Sequence, residues 1–84
     1  MKLTKAELAA AVNSVSYNKF HLTAGVFVEE SAGGSWFIGR ESLDFSEPET
    51  LGEDGVWGGS RYFSTPLDAL ETAKKYGFLP LTNV

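Results

Sequence analysis

Apolar residues recur at helical spacing near both ends of the chain and at alternate positions in between. Near the N-terminus they are three and four residues apart, as on one face of an α-helix, at Leu8, Ala11, Val12 and Val15. Thr4 and Glu7 stand just before this stripe with the spacing of a capping box, in which each side chain accepts a hydrogen bond from the other residue's backbone N–H. The pattern predicts a helix over residues 4–14.

The period changes to two at Phe20, and apolar side chains then alternate with mixed ones as far as Val28. Such alternation is typical of a strand with one buried face. Residues 31–34, Ser-Ala-Gly-Gly, supply the conformations of a tight reversal. The chain then returns with Trp36 and Ile38 on one face and Phe37 on the other. We therefore expect an antiparallel hairpin over residues 20–40.

The second half begins with a polar segment, residues 42–55, that is interrupted by Pro48, Gly52 and Gly55 and is predicted to be an acidic loop. Residues 56–63 predict a third strand, kinked at its two glycines. Thr65 suits a helix N-cap, Pro66 the first helical turn, and Gly77 the position just after the helix.

These elements predict the α+β class. We expect one domain over residues 1–84, with an N-terminal helix, a three- to four-stranded antiparallel sheet, and a C-terminal helix packed on one sheet face. The 84 residues include 43% hydrophobic side chains, enough for a buried core.

Composition removes several classes of function. The chain has no Cys, which excludes disulfides, thiolate metal sites and thiol chemistry. No signal peptide pattern and no apolar run of about 20 residues is present, so we expect a soluble, cytoplasmic protein without a membrane partner.

No pattern of residues indicates catalysis. His21 is the only histidine, and no serine lies in a nucleophile elbow. A calcium loop beginning at Asp44 would need Gly and Glu where Glu49 and Gly55 stand, although irregular carboxylate clusters can hold Ca²⁺ or Mg²⁺ weakly. The sequence therefore favours a non-enzymatic protein with no cofactor and no metal site.

Charge is distributed very unevenly along the chain. The segment from Glu41 to Asp54 contains six acidic residues and no basic one, whereas the other seventy residues contain five acidic and seven basic residues. A net charge of −4 disfavours direct nucleic-acid binding, which draws most of its non-specific affinity from basic side chains.

One explanation of the acidic segment is a solvated loop that maintains solubility. The sharper hypothesis is a recognition surface for a basic, nucleic-acid-binding partner protein, in which the acidic patch mimics nucleic acid. Its residues would be Glu41, Asp44, Glu47, Glu49, Glu53, Asp54 and Trp57. In size and charge the chain resembles phage-encoded inhibitors of host machinery, including anti-CRISPR and anti-restriction proteins.

A second hypothesis places nucleic acid on the sheet. Strand aromatics that alternate with basic residues can stack on bases and hold phosphates, and the candidates are Trp36, Arg40, Arg61 and Tyr62. The element order is also that of double-stranded-RNA-binding domains. Those domains carry a lysine cluster at the start of the last helix, where this chain has Thr65 to Asp68.

A third hypothesis rests on residues 63–78, whose Phe-Ser-Thr, Asp-Ala and Ala-Lys-Lys-Tyr-Gly-Phe pattern resembles the end of a small accessory subunit of respiratory NADH dehydrogenase. The resemblance covers about a fifth of the chain. It implies a small accessory subunit of a larger assembly. A similar strand-then-helix element occurs in small phage inhibitors of host RNA polymerase, so the stretch is interpreted as a shared structural module.

Overall fold

Two helices flank an antiparallel sheet of five short strands in the computed structural model, which describes residues 3–13, 15–16, 19–41 and 48–81. The strands are hydrogen-bonded in chain order. The elements are α1 (Lys5–Asn13), β1 (Val15–Ser16), β2 (Lys19–His21), β3 (Val26–Glu30), β4 (Trp36–Arg40), β5 (Glu49–Thr50) and α2 (Pro66–Lys75). The predicted α+β class, with α2 packed on the sheet, is confirmed.

The predicted cap of α1 forms as expected. The backbone N–H of Thr4 donates to Glu7 Oε1 at 2.9 Å, and the N–H of Glu7 donates to Thr4 Oγ1 at 3.2 Å. These two bonds satisfy donors that a helix start otherwise leaves without an intrahelical partner.

Both ends of α2 are also those that the sequence indicates. Thr65 Oγ1 accepts from the N–H of Asp68 at 3.2 Å, and Pro66 follows it in the first turn. At the other end the N–H of Phe78 donates to the carbonyl of Ala73 at 3.0 Å across Gly77, which has φ 92°. This is the Schellman arrangement, for which glycine is favoured because it has no Cβ.

The predicted strand over residues 20–28 is in fact two antiparallel strands. β2 and β3 are joined by a 3₁₀ turn, Thr23–Gly25, in which Ala24 has φ 60° and Gly25 has φ 72°. The N–H of Val26 donates a hydrogen bond to the carbonyl of Thr23, as in a type I′ turn. The sheet therefore contains an additional hairpin before the predicted turn at 31–34, which does form and leads from β3 into β4.

The predicted third strand, residues 56–63, is replaced by two isolated bridges. Trp57 is bridged to Leu51 and Phe63 to Trp36, with Gly58 at φ 99° between them. The chain changes direction at this glycine, so the two ends of the segment meet different partners. The strand that pairs with the free side of β4 is β5, which lies inside the segment predicted to be an acidic loop.

One face of the sheet carries the core. Val28 and Ile38 face each other across β3 and β4 and are fully buried, and α2 packs over these two strands. Each buried branched side chain of this size contributes about 1.5–3 kcal/mol relative to exposure. The core consists of Ala11, Leu22, Val26, Val28, Ile38, Leu51, Ala69, Leu70 and Ala73.

The opposite face carries a separate aromatic cluster. Phe27 is buried there, with the ring of Phe37 at 6.2 Å between centroids and the Lys19 ammonium 4.1 Å from its own ring centroid. A Cβ on Gly39 would lie 2.8 Å from the Phe27 ring. A larger residue at this position would therefore displace the Phe27 ring from its place over β4. Tyr62 extends the cluster by an edge contact with Phe37 at 6.1 Å.

The chain after α2 returns to the turn between β2 and β3. The N–H of Thr23 donates to the carbonyl of Leu79 at 2.9 Å, and the N–H of Leu79 donates to Thr23 Oγ1 at 3.1 Å. Pro80, which is buried, forms a bridge with Leu22. This C-terminal segment thus joins the sheet through a single bridge and not through a regular strand.

Candidate functional site

Two acids of the predicted recognition surface form ion pairs with bases from elsewhere in the chain. Glu49 Oε1 accepts from Arg40 Nε at 3.2 Å across β4 and β5, and Glu41 lies 3.7 Å from the Lys19 ammonium. The acidic segment is therefore partly neutralised by bases that the linear sequence places outside it. Asp44 and Glu47 lie outside the described residues.

Glu53 and Asp54 are both exposed, as is Glu41, but unlike Glu41 they lie near no base in a described ion pair. They lie in a reversal in which the N–H of Gly52 donates to the carbonyl of Val56 at 2.9 Å. Asp54 Oδ1 also accepts from the N–H of Val56 at 3.2 Å, which fixes its side chain beside the backbone. No ion pair within the described part of the chain involves either carboxylate.

Trp57 is predominantly structural. Its ring lies 6.1 Å from that of Phe78 between centroids, and the Arg40 guanidinium lies 4.5 Å from the Trp57 ring centroid. Trp57 also packs against the core. The apolar side chain that stands beside Glu53 and Asp54 in solvent is Val56, which is 59% exposed.

The four residues of the nucleic-acid hypothesis occupy different environments. Trp36 packs against the core and against Phe20 at 5.7 Å, and Arg40 is paired with Glu49. Arg61 lies with its guanidinium 4.9 Å from the Phe63 ring centroid, and Tyr62 is 53% exposed. The structure therefore keeps only Arg61 and Tyr62 together at the surface.

Two clefts meet at Arg61. The first, here called the Asp54 cleft, has a volume of about 430 Å³ and is lined by Gly52, Glu53, Asp54, Gly59, Ser60 and Arg61. The second, called the α2 cleft, has a volume of about 460 Å³ and lies between residues 61–64 and α2. The reversal that carries Glu53 and Asp54 thus borders this surface on one side, and α2 borders it on the other. Arg61 lies between them.

The walls of the two clefts are predominantly acidic. Glu53 and Asp54 line the Asp54 cleft, while Asp68 and Glu71 line the α2 cleft. Arg61 and Lys75 are the two bases of the lining. Four carboxylates against two cations give this surface an electrostatic preference for positively charged ligands.

Sequence reasoning missed the contribution of α2 to this surface. Glu71 and Thr72 lie three and four residues after Asp68, and Lys75 lies four and three residues after them, which places all four along one side of the helix. This polar stripe is visible in the sequence. Its position opposite residues 61–64 depends on the long-range bridge between Phe63 and Trp36, which no local pattern indicates.

The shortest ion pair lies away from the clefts. Lys74 Nζ donates to Glu7 Oε1 at 2.7 Å and links α2 to the first turn of α1. The hydrogen bond from Lys74, followed by that from the Thr4 backbone, lowers the pKa of Glu7 from its usual 4.5 to about 2. The pair is an electrostatic connection between the helices and lies apart from the candidate site.

Residues 3–13, 15–16, 19–41 and 48–81 contain no group of three or more His, Asp or Glu side chains placed to hold a metal ion. His21 is exposed on β2, in register with Phe27. None of the helices in the described ranges has the length and apolar character of a membrane span.

No protein-family model, curated protein or solved structure matches this chain.

Proposed function

We propose that this chain is a non-enzymatic binding protein that presents an acidic surface to a basic groove on a partner protein. The observation that carries the proposal is the exposed Glu53–Asp54 pair, which no described base neutralises and which stands beside the exposed side chain of Val56. Carboxylates of this kind accelerate association with a basic partner, and an adjacent apolar side chain prolongs the complex.

The surface in this proposal differs from the one that the sequence outlines. Glu41 and Glu49 contribute less because Lys19 and Arg40 offset their charge, and Asp68 and Glu71 of α2 take their place beside Glu53 and Asp54. A groove that otherwise holds nucleic acid is the natural basic target. The proposed class is a cytoplasmic inhibitor of the phage type, similar in size and charge to anti-CRISPR and anti-restriction proteins.

Affinity capture from the native host tests the proposal. The wild-type chain is expected to retain a basic protein at low salt and to release it at about 0.5 M salt, where screening shortens to a few ångströms. The double variant Glu53→Lys, Asp54→Lys is expected to lose that protein. Capture that survives both the salt and the charge reversal would refute the proposal.

The matched control is the pair Glu29 and Glu30 on β3, two adjacent acids that are half-buried and form no described ion pair. The double variant Glu29→Lys, Glu30→Lys makes the same change in net charge at two positions that do not line the clefts. If both double variants lost the partner equally, net charge and not the acidic surface would control binding.

The second candidate function is nucleic-acid binding through Arg61 and Tyr62. The observation in its favour is that an exposed tyrosine ring adjoins a guanidinium that has no carboxylate partner among the described ion pairs. Gel shifts at low salt with single- and double-stranded probes would test it. Arg61→Gln should abolish any shift, whereas a shift that this variant retains would contradict the assignment of the site.

The resemblance behind the accessory-subunit hypothesis has a physical explanation that does not require this chain to belong to the same kind of assembly. The pattern of residues 63–78 corresponds to the Thr65 cap, the Gly77 stop and the packing of Phe78. Any short amphipathic helix with these ends would show it. Stable purification without a partner from the native cells would argue against this hypothesis.

A further inference from the structure

The backbone between the two clefts is unpaired. Ser60, Arg61 and Tyr62 form no backbone hydrogen bond with any other described residue. On either side of them the chain is held by the bridges at Trp57 and Phe63. Three consecutive residues thus have peptide groups without a described hydrogen-bond partner, in a segment that is anchored at both ends.

An anchored segment with unpaired N–H and C=O groups is a template for another strand. Peptide ligands commonly bind by adding a strand to such a segment, with main-chain hydrogen bonds for affinity and side-chain pockets for selectivity. Ser60 and Tyr62 are exposed, so an incoming peptide can approach them. The two clefts lie on either side as sites for its side chains.

The negative charge of the two clefts favours a peptide with basic side chains. Glu53 and Asp54 line one cleft, and Asp68 and Glu71 line the other. Side chains two residues apart on a strand point to the same side about 7 Å from each other. A peptide with lysine or arginine at alternate positions can therefore direct its cations toward these carboxylates while its backbone pairs with the protein.

We propose that an extended basic segment of the partner protein adds as a strand along Ser60–Tyr62. The inference rests on the proposed function and deepens it by placing an extended basic segment at the edge of the partner's basic groove and by naming the manner of its binding. Arg61 is then a selectivity residue, since its guanidinium, held over Phe63 at 4.9 Å, opposes the cations of the peptide. Replacing it should strengthen binding of a basic peptide.

The test is an NMR titration of the full chain with a hexapeptide in which lysine and valine alternate. We expect saturable changes at the amides of Ser60, Arg61 and Tyr62, slower hydrogen exchange at those amides, and a Kd on the order of 0.1–1 mM. A hexapeptide with glutamate in place of lysine should cause none of these changes. No change with the lysine peptide up to about 5 mM, or changes confined to other residues, would overturn the proposal.

Two methylated versions of the lysine peptide distinguish strand addition from simple charge attraction. One carries N-methyl groups on its lysines and the other on its valines, and the charge is the same in both. In a strand pair only alternate N–H groups face the neighbouring strand, so one version should bind at least about fivefold more weakly and the other about as well as the parent. Equal binding by both versions would refute backbone pairing.

Variants of the protein complete the test. Asp54→Asn combined with Glu71→Gln should weaken the lysine peptide about threefold to tenfold at low salt, and Arg61→Gln should strengthen it about twofold to threefold. Glu29→Gln with Glu30→Gln is the control and should leave the affinity unchanged. Weaker binding by Arg61→Gln would contradict the assigned role of Arg61 and with it the basic nature of the peptide.

The outcomes separate this inference from the proposed function. If salt-sensitive capture of a partner persists and depends on Glu53 and Asp54 while the lysine peptide does not bind, the binding function stands and strand addition is wrong. If the peptide binds as described and no basic partner is captured, strand addition stands and the proposed function is wrong.

Discussion

The replacement of Gly59 by alanine should destabilise the fold more than any other glycine-to-alanine change in the described chain. A Cβ at this position would lie 2.3 Å from Gly52 Cα and 2.8 Å from Gly52 N. Carbon atoms that are not bonded pack at about 3.5–4.0 Å, so the two backbone segments would have to separate by roughly 1.2–1.7 Å. Because both colliding atoms belong to the main chain, no side-chain rotation can relieve the contact.

The size of the effect follows from what holds the segments together. The N–H of Gly52 donates to Val56 and the N–H of Gly58 donates to Thr50, each at 2.9 Å, around the bridge between Leu51 and Trp57. Overpacking costs about 1–3 kcal/mol and a lost hydrogen bond about 1 kcal/mol. We therefore expect a loss of about 2–4 kcal/mol, which is roughly 10–25 °C in Tm for a domain of this size.

Thermal and urea unfolding followed by circular dichroism measure this change. Gly33→Ala is the matched control, because its Cβ would meet nothing within 4 Å and Gly33 is not among the glycines with positive φ. That variant should be neutral or slightly more stable, by about 0.5 kcal/mol. A Gly59→Ala protein that melts within about 2 °C of Gly33→Ala would show that the contact between residues 52 and 59 is not a constraint.

Three further predictions concern local interactions. Ala24→Asn should stabilise the protein by about 0.5–1 kcal/mol in urea unfolding, because asparagine tolerates the positive φ of Ala24 better than alanine, and a loss of stability would contradict the turn geometry. Thr65→Ala should cost about 1 kcal/mol through loss of the cap on Asp68, while Thr65→Ser should retain most of it. Above pH 4.5 Glu7 stabilises the fold through Lys74, and this contribution should disappear as the pH falls toward about 2. Urea unfolding at several pH values should therefore show wild type losing its advantage over Glu7→Gln across this interval, and an advantage unchanged at pH 2 would refute the assignment.

The features that the sequence predicts correctly are those that depend on neighbouring residues. The caps at Thr4 and Thr65 and the stop at Gly77 each need only side chains or backbone within four or five positions. The two ion pairs of the acidic segment lie beyond that range. Lys19 reaches Glu41 because β2, β3 and β4 form one sheet and the Lys19 ammonium extends over the Phe27 ring, so the linear charge pattern overstates the acidity of the surface.

The sequence pattern does not indicate the turn at Ala24, and the reason is local. Phe20 pairs with Val28, and the three turn residues keep even-numbered side chains on the same face before and after the reversal. The alternation therefore continues through the turn as if the strand were unbroken. Ala24 also occupies a conformation for which Asn or Gly is the usual signal, which leaves only Gly25 to mark the position.

The bonds between Thr23 and Leu79 have a consequence for the order of folding during synthesis. The turn between β2 and β3 is complete early in translation, but its outer hydrogen bonds and the bridge from Leu22 to Pro80 need residues that are made almost sixty positions later. A nascent chain that ends before residue 79 therefore lacks these bonds, and its sheet is unfinished. Until residues 79–81 emerge, that side of the sheet is open to chaperones and to other nascent chains.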